Sequence, residues 1–256
     1  MPIKVGLFGF GRTGAIVAKE ITMDPGLSLE WVCRKSPPQD SPYASQVLGY
    51  ADNFAPFVSV DALNENFLKS HPVDLIIDFS SSANAKSYDK IARLGIKLVS
   101  AISNYKEEEF ALVKEASQKT SVLYSPNITL GINWLIMASK MLRKIIPHAD
   151  VEVVEEHFRA KKDISGTALK LARQLELDPK EHVNSIRVGG IVGKHEVIFG
   201  LPHQTIRLVH ESVNRAAFGT GAIFAAKWLK NQTHGFYTME NVLKETFYNK
   251  MHEVTY

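Results

Sequence analysis

Cysteine is nearly missing from the 256 residues: Cys33 stands alone, which excludes an intrachain disulfide and a multi-thiolate metal site and fits a reducing compartment. Its place at the end of an apolar run marks it as a buried strand residue. No stretch reaches the roughly 20 uninterrupted apolar residues of a membrane span, so no membrane partner is expected. Met1-Pro2 leads straight into Ile3–Phe8 with no basic leader segment and no small-residue cleavage site, and the cytoplasm is the expected location. No charge of one sign dominates. A net charge of +3 with 22% charged residues gives no polyanion-binding surface, and no nucleic-acid partner is expected. The nine histidines show no HExxH-like or close His/Asp ligand spacing, so no metal is expected. What the chain does have is 45% hydrophobic residues, enough for a sizeable core in one large domain or two small ones.

The first half alternates short apolar runs with helical patterns. Ile3 to Phe8 reads as a buried strand, followed by Gly9-Phe10-Gly11-Arg12-Thr13-Gly14 and the helical stretch from Ala15 to Ile21. In that context Gly9 permits a tight turn, Gly11 lets backbone approach a pyrophosphate, and Gly14 allows close helix packing. Leu27 to Cys33 is the second strand. Its C-terminal end would lie beside the adenosine ribose, where an acidic residue would accept from the 2′-hydroxyl. This chain has Arg34-Lys35 there instead. Two cations complement a 2′-phosphate, which favours NADPH, with NADH the alternative; two solvated residues at a strand end are the plainer reading. Further strands are read at 73–79, 96–100 and 121–124, each followed by a polar loop. The pattern implies a doubly wound parallel sheet with its ligand site off the carboxyl ends of the strands.

From Asp150 the pattern changes. Val151 to Glu155 alternates as a strand, and Glu156-His157-Phe158-Arg159-Ala160-Lys161-Lys162-Asp163-Ile164-Ser165-Gly166-Thr167-Ala168 follows. His157 and Lys161 are candidate acid or carboxylate-binding groups. Ser165-Gly166-Thr167 opens a helix and could present N–H groups and a hydroxyl to an anion. Ser165 is equally well read as a plain N-cap.

At these residues the chain resembles the 4-hydroxy-tetrahydrodipicolinate reductase, or dihydrodipicolinate reductase, family over nearly its whole length. Asp78-Phe79-Ser80 matches the family's Asp-Phe-Ser/Thr, and Ser125-Pro126-Asn127 through Asn133 matches its Ala-Pro-Asn segment. Glu155 through Ala168 corresponds to Glu-x-His-His-x-x-Lys-x-Asp-Ala-Pro-Ser-Gly-Thr-Ala. Arg187 to Glu196 resembles its Arg-x-Gly-x-x-x-Gly-x-His strand pair, and Ser212 to Ala222 its closing segment. The resemblance implies hydride transfer from a nicotinamide to a cyclic imine carrying two carboxylates, in lysine and diaminopimelate biosynthesis. It further implies cofactor contacts at Phe79, Ser80, Ala101, Ser103, Ser125 and Asn127. His157 would be the acid near the imine nitrogen, Lys161 a carboxylate partner or proton donor, and Gly166-Thr167 a carboxylate cradle. Ser103, Phe158, Ser165 and Arg215 fall at substrate-side positions, and a homotetramer through the sheets of the second domain is implied.

Three departures touch the pocket. Phe158 replaces the second histidine, Ile164 meets Ser165 with the proline deleted, and Ala101-Ile102-Ser103-Asn104 replaces Gly-Thr-Thr/Ser-Gly. They leave open a reductase of a different imine or carbonyl acid, and a non-catalytic NADP-binding paralogue, against which the retention of His157 and Lys161 argues. The expected architecture is a Rossmann domain over residues 1–126, completed by 216–256, and an α+β substrate domain with a mixed sheet over 127–215, which would also carry the oligomer contacts.

Overall fold

The computed structural model describes residues 1–251 and Glu253. It forms two compact units, one of residues 1–129 with those from 218 onward, the other of residues 130–217.

The first unit is built on apolar runs too short to do anything but pair. β1 (Ile3–Phe8), β2 (Leu27–Cys33), β3 (Phe57–Val58), β4 (Leu75–Asp78), β5 (Lys97–Ser100), β6 (Ser121–Tyr124) and β11 (Gly235–Tyr237) form one sheet, ordered β3-β2-β1-β4-β5-β6-β11. Every pairing in it is parallel. The central strands are covered on both faces, which is why their sequences run apolar without alternation. One face packs on α1 (Arg12–Met23), α9 (Ala216–Leu229) and α10 (Met239–Met251) through Val17, Ile21, Ala222, Ala226 and Val242. The other packs on α3 (Glu65–Ser70), α4 (Tyr88–Arg93) and α5 (Glu107–Ala116) through Leu68, Ile91 and Val113. Each fully buried Val, Leu or Ile among these contributes about 1.5–3 kcal/mol relative to exposure. The short α2 (Ala44–Val47) lies in the connection from β2 to β3.

The second unit holds β7 (Asp150–His157), β8 (Val183–Arg187), β9 (Lys194–Leu201) and β10 (Gln204–Glu211), in the order β10-β9-β7-β8. β7 is antiparallel to β9 and parallel to β8, so the sheet is mixed. The parallel crossover carries α7 (Gly166–Gln174) and α8 (Pro179–His182), while α6 (Leu130–Ile145) precedes the sheet. Ile132, Leu135 and Ile136 of α6 and Ala168 and Leu171 of α7 join Val151, Val153, Val197 and Phe199 in one core. β7 alternates as its sequence predicts, with Val151 and Val153 inside. It also runs two residues beyond the expected 151–155, so that Glu155 and His157 occupy the next two inward positions. An ionisable pair thus stands where the alternation calls for apolar residues.

The α/β reading holds for both units. The helix expected near residues 85–94 starts instead as a tight 3₁₀ turn at Ser82–Ser87, whose N-cap Ser81 side chain accepts from the Ala83 N–H, before α4 begins. β3 and β11 were not anticipated because two or three residues carry no readable periodicity. Among the described residues no helix is long and apolar enough to cross a membrane.

Candidate active site

The register of the first sheet brings five loops to one edge. Phe8 pairs with Cys33 on one side and Asp78 on the other; Asp78 pairs with Ser100, and Ser100 with Tyr124. The residue after each strand continues the ladder: Gly9 N–H donates to Cys33, Phe79 to Phe8, Ala101 to Asp78 and Ser125 to Ser100, all at 2.8–2.9 Å. Gly9, Arg34, Phe79, Ala101 and Ser125 therefore emerge side by side, where the strand order reverses around β1. That is the position at which a doubly wound sheet binds a dinucleotide.

Two cavities lie along this edge. One, of about 620 Å³, is lined by Gly9, Phe10, Gly11, Arg34, Lys35 and Asp61 among others. The other, of about 500 Å³, is lined by Thr13, Phe79, Ala101 to Asn104, Pro126, Ile128 and Phe218. Ser80 and Ser81 line both. Gly9 has φ +91°, and a Cβ there would come 2.8 Å from the Phe79 carbonyl oxygen. A Cβ on Gly14 would come 2.2 Å from the Gly9 carbonyl oxygen, so neither position admits a side chain. Gly11 is the opposite case, with nothing within 4 Å of such an atom. It is the N-cap of α1, where no side chain caps the helix and no acidic residue occupies the first turn. Open space before amide donors at a positive helix end fits a pyrophosphate. Arg34 lies 5.7 Å from the Phe57 ring centroid, a ring that also meets Phe10 edge-on at 5.0 Å, so its guanidinium is steered at the cavity wall. Cys33 is buried, and burial with the nearby Asp78 carboxylate pushes its thiol up to about 12, leaving it unreactive.

Below the serines a buried polar chain joins two of the loops. Asp78 Oδ1 accepts from the Ser80 N–H at 2.8 Å and the Ser80 hydroxyl at 2.5 Å, and Oδ2 accepts from Tyr88 at 2.8 Å. The Tyr88 hydroxyl meets that of Tyr105 at 3.1 Å, which meets the Ser100 hydroxyl at 2.6 Å. Burial dominates at Asp78 and pushes its carboxyl up to about 6, against the lowering effect of Ser80 and Tyr88.

The second unit gathers a different cluster at the ends of β7, β8 and β9. His157 Nδ1 is hydrogen-bonded to Glu155 Oε2, and Glu155 also accepts from Arg187 at 2.5 and 3.0 Å, Ser185 at 2.6 Å and the Ser165 N–H at 3.3 Å. Burial opposes the charge on Glu155, but the bonds from Arg187, Ser185 and His157 outweigh it and hold the carboxyl down at about 2. His195 meets the ring of His157 edge-on at 5.3 Å, and its Nε2 lies 2.7 Å from the Ser165 hydroxyl. Burial and the neighbouring His157 push His195 down to about 4, so it is neutral at pH 7.

The candidates of the sequence reading fall into two groups. Gly9, Phe10, Gly11, Arg34 and Lys35 line one cavity, and Thr13, Phe79, Ala101 and Ser103 the other, with Ser80 in both. Arg12 is exposed in the first turn of α1, and Gly14 is buried. Ser125 and Asn127 differ from these: the Ser125 hydroxyl turns inward to the Asn127 carbonyl at 2.6 Å, and their neighbours Pro126 and Ile128 line the cavity. In the second unit His157, Phe158, Lys161, Ser165, Gly166 and Thr167 lie on β7, on α7 or between them. Phe158 is exposed, and Arg215 is exposed just before α9. The Ser165 hydroxyl is an N-cap, accepting from the Ala168 N–H at 3.0 Å, and its remaining partner is His195. Gly166 faces open space. Glu155, Ser185, Arg187, His195, Asp61, Tyr88 and Tyr105 were not singled out. Strand register assembles most of them, and one sequence does not display it.

The sequence profile described as dihydrodipicolinate reductase, N-terminus, matches residues 3–128, and its C-terminal counterpart matches residues 131–243. The chain is 37% identical over 194 residues to 4-hydroxy-tetrahydrodipicolinate reductase of Caldanaerobacter subterraneus subsp. tengcongensis, covering 67% of this chain and 77% of that one. It is 32% identical to the enzyme of that name from Thermosipho africanus, covering 77% and 89%. Dipicolinate-bound dihydrodipicolinate reductase from Paenisporosarcina sp. TG-14 superposes with TM-score 0.77 at 20% identity, over 95% of this chain and all of that one, a likeness of fold. An engineered D-amino acid dehydrogenase bound to NADP⁺ shares the fold more distantly, at TM-score 0.60 and 14% identity. The glycine turn and the strand-end loops thus belong to an oxidoreductase with a nicotinamide cofactor and a small-molecule substrate. With both of its halves matched, the chain belongs to the dihydrodipicolinate reductase family.

Proposed function

We propose that the chain reduces 4-hydroxy-tetrahydrodipicolinate to tetrahydrodipicolinate, the reductive step toward diaminopimelate and lysine, with NADPH as the preferred donor. The first unit is the cofactor domain and the second the substrate and oligomerisation domain. The observation that carries this reading is the Glu155–His157 pair. The carboxylate takes Nδ1–H, which leaves Nε2 as the pole that can hold a proton for the reacting ring. Bound nicotinamide supplies a hydride; the net reaction takes up that hydride and one proton and releases water. Lys161 and the start of α7 at Gly166 and Thr167, with open space at Gly166, receive the two carboxylates and orient the ring. Gly11 and the first turn of α1 receive the pyrophosphate. Arg34 and Lys35 line the cavity that would take the adenosine end, which supports the preference for a 2′-phosphate. Asp61 in the same cavity can accept from a ribose hydroxyl, so NADH remains a slower donor.

For the assembly we propose a cytoplasmic homotetramer formed through the second unit's sheet. Its support is the face turned away from α6 and α7, on which Ile186 and Val209 are exposed. A second reading, reduction of a less polar imine or carbonyl acid, is favoured by one observation: Phe158, exposed beside His157, offers an apolar ring where the family carries a histidine.

Initial rates of NADPH and NADH oxidation with the substrate generated in situ test the proposal. Turnover is expected with both, faster with NADPH, and at least about a hundredfold slower in His157→Ala and Lys161→Ala. Tight NADPH binding without turnover contradicts it and leaves the second reading.

A further inference from the structure

We propose that Glu155 and Arg187 act together as a positioning device that sets both candidate catalytic residues, His157 and Lys161, from behind. This rests on the reading of His157 as the acid and Lys161 as the carboxylate partner.

The guanidinium of Arg187 uses all five of its N–H donors. Two go to the two oxygens of Glu155, at 3.0 and 2.5 Å. The other three go to main-chain carbonyls: Lys161 at 3.0 Å, Asp163 at 2.9 Å and Ile186 at 2.9 Å. One planar fork therefore joins the carboxylate that holds the His157 ring to the backbone of the segment carrying Lys161. A lysine has neither the fork nor enough donors for this. Glu155 is equally full, with the His157 ring, the fork, the Ser185 hydroxyl and the Ser165 N–H all on its two oxygens.

The His157 ring has little freedom left. Glu155 holds one nitrogen, and Gly193 lies against the other so closely that a Cβ there would come 3.0 Å from Nε2. His195 meets the ring edge-on. Residues 158–165 have no helix or strand of their own, and the two carbonyl bonds from Arg187 are anchors to that segment from β8.

Stability alone does not account for this arrangement. A buried ion pair gains little over apolar residues of the same volume, because desolvation offsets the attraction. An apolar pair would hold the sheet equally well but could neither fix the imidazole tautomer nor grip the carbonyls of residues 161 and 163.

Steady-state kinetics, NADPH affinity and melting temperature of Glu155→Gln, Arg187→Lys and the double variant Glu155→Gln/Arg187→Met separate positioning from structure, with His157→Ala as reference. Glu155→Gln is expected to lower kcat about a hundredfold with KM nearly unchanged, since ring orientation matters to the proton step and not to carboxylate binding. Arg187→Lys keeps the charge but releases the two carbonyls, and should raise KM about tenfold. The double variant removes both charges of the pair, so its melting temperature should recover while kcat stays low. NADPH affinity should not change in any of them. If kcat recovers with the melting temperature, or if every loss of activity tracks the fraction folded, the pair is structural and the proposal is overturned. An inactive His157→Ala beside a fully active Glu155→Gln overturns positioning alone; a fully active His157→Ala overturns the reading of the acid itself.

Discussion

Two carboxylates, Asp78 at the end of β4 and Glu155 on the inward face of β7, have no solvent exposure, and their surroundings drive them in opposite directions. Asp78 is met by hydroxyls and one N–H, which do not offset the cost of burying its charge, and its carboxyl rises to about 6. Glu155 is met by a guanidinium and an imidazole, and falls to about 2. Each displacement corresponds to roughly 3 kcal/mol, one against the ionised fold and one in its favour. Burial by itself therefore says nothing about a carboxylate's charge. The first unit uses its buried acid to hold Ser80 and tie two strand-end loops together, a task a neutral group could share. The second uses its acid as a charge.

Substitutions can break this contrast. Glu155→Gln leaves the partly buried Arg187 guanidinium without its carboxylate and should destabilise the protein by about 3 kcal/mol at pH 7, read from urea unfolding. Gly14→Ala should follow, at about 1–3 kcal/mol with weakened NADPH binding, because its Cβ meets the Gly9 carbonyl and only a backbone shift can relieve that contact. Arg34→Ala should raise the NADPH dissociation constant about tenfold and leave that for NADH nearly unchanged, a loss of about 1.4 kcal/mol confined to the 2′-phosphate. Equal weakening of both cofactors would show that Arg34 does not read that phosphate. Asp78→Asn should have the smallest effect. The amide can still accept from Ser80 and can donate to Tyr88, so stability at pH 7 should hold or rise by about 1 kcal/mol.

The pH dependence sharpens the same comparison. Asp78 has a folded value above its ordinary 3.8, so its burden is full above about pH 6 and is relieved as pH falls toward 4. Glu155 has a folded value below its ordinary 4.5, so its contribution is full above pH 4.5 and is lost as pH falls toward 2. The stability gap between wild type and Asp78→Asn should narrow from pH 7 to pH 5, while the gap to Glu155→Gln should stay constant over that range. Parallel behaviour of the two gaps would contradict the opposite environments.

How legible each site was follows from how each is built. The candidate cofactor edge is made of main chain: Gly9, Gly11 and Gly14 are readable because turn, approach and packing are local demands on one short segment. The alignment of Arg34, Ser80 and Ala101 beside them follows from parallel strands ending level, which the alternation of runs already implied. In the His157 cluster, Ser185, Arg187 and His195 come from 30 to 40 residues beyond Glu155. Pairing of Glu155 with Ser185 and His195, and of His157 with Arg187, exists only once β7 has taken its register between β8 and β9. The sequence displayed Arg187 and His195 within a motif, but nothing in their spacing told which face they would share with Glu155. Tyr88 and Tyr105 were hidden for a similar reason, being aromatic residues at a helix start and in a loop whose hydroxyls matter only through Asp78.

On the proposed function, a nicotinamide hydride reaches the imine dicarboxylate with a proton governed by His157. NADPH deuterated at the transferable position, turned over with 4-hydroxy-tetrahydrodipicolinate and followed by mass spectrometry of the product, tests it most directly. One deuterium is expected in the tetrahydrodipicolinate formed by the wild type, and about a hundredfold slower transfer in His157→Ala with NADPH affinity intact. Absence of deuterium from the product while NADPH is bound, or transfer in His157→Ala at the wild-type rate, would contradict it.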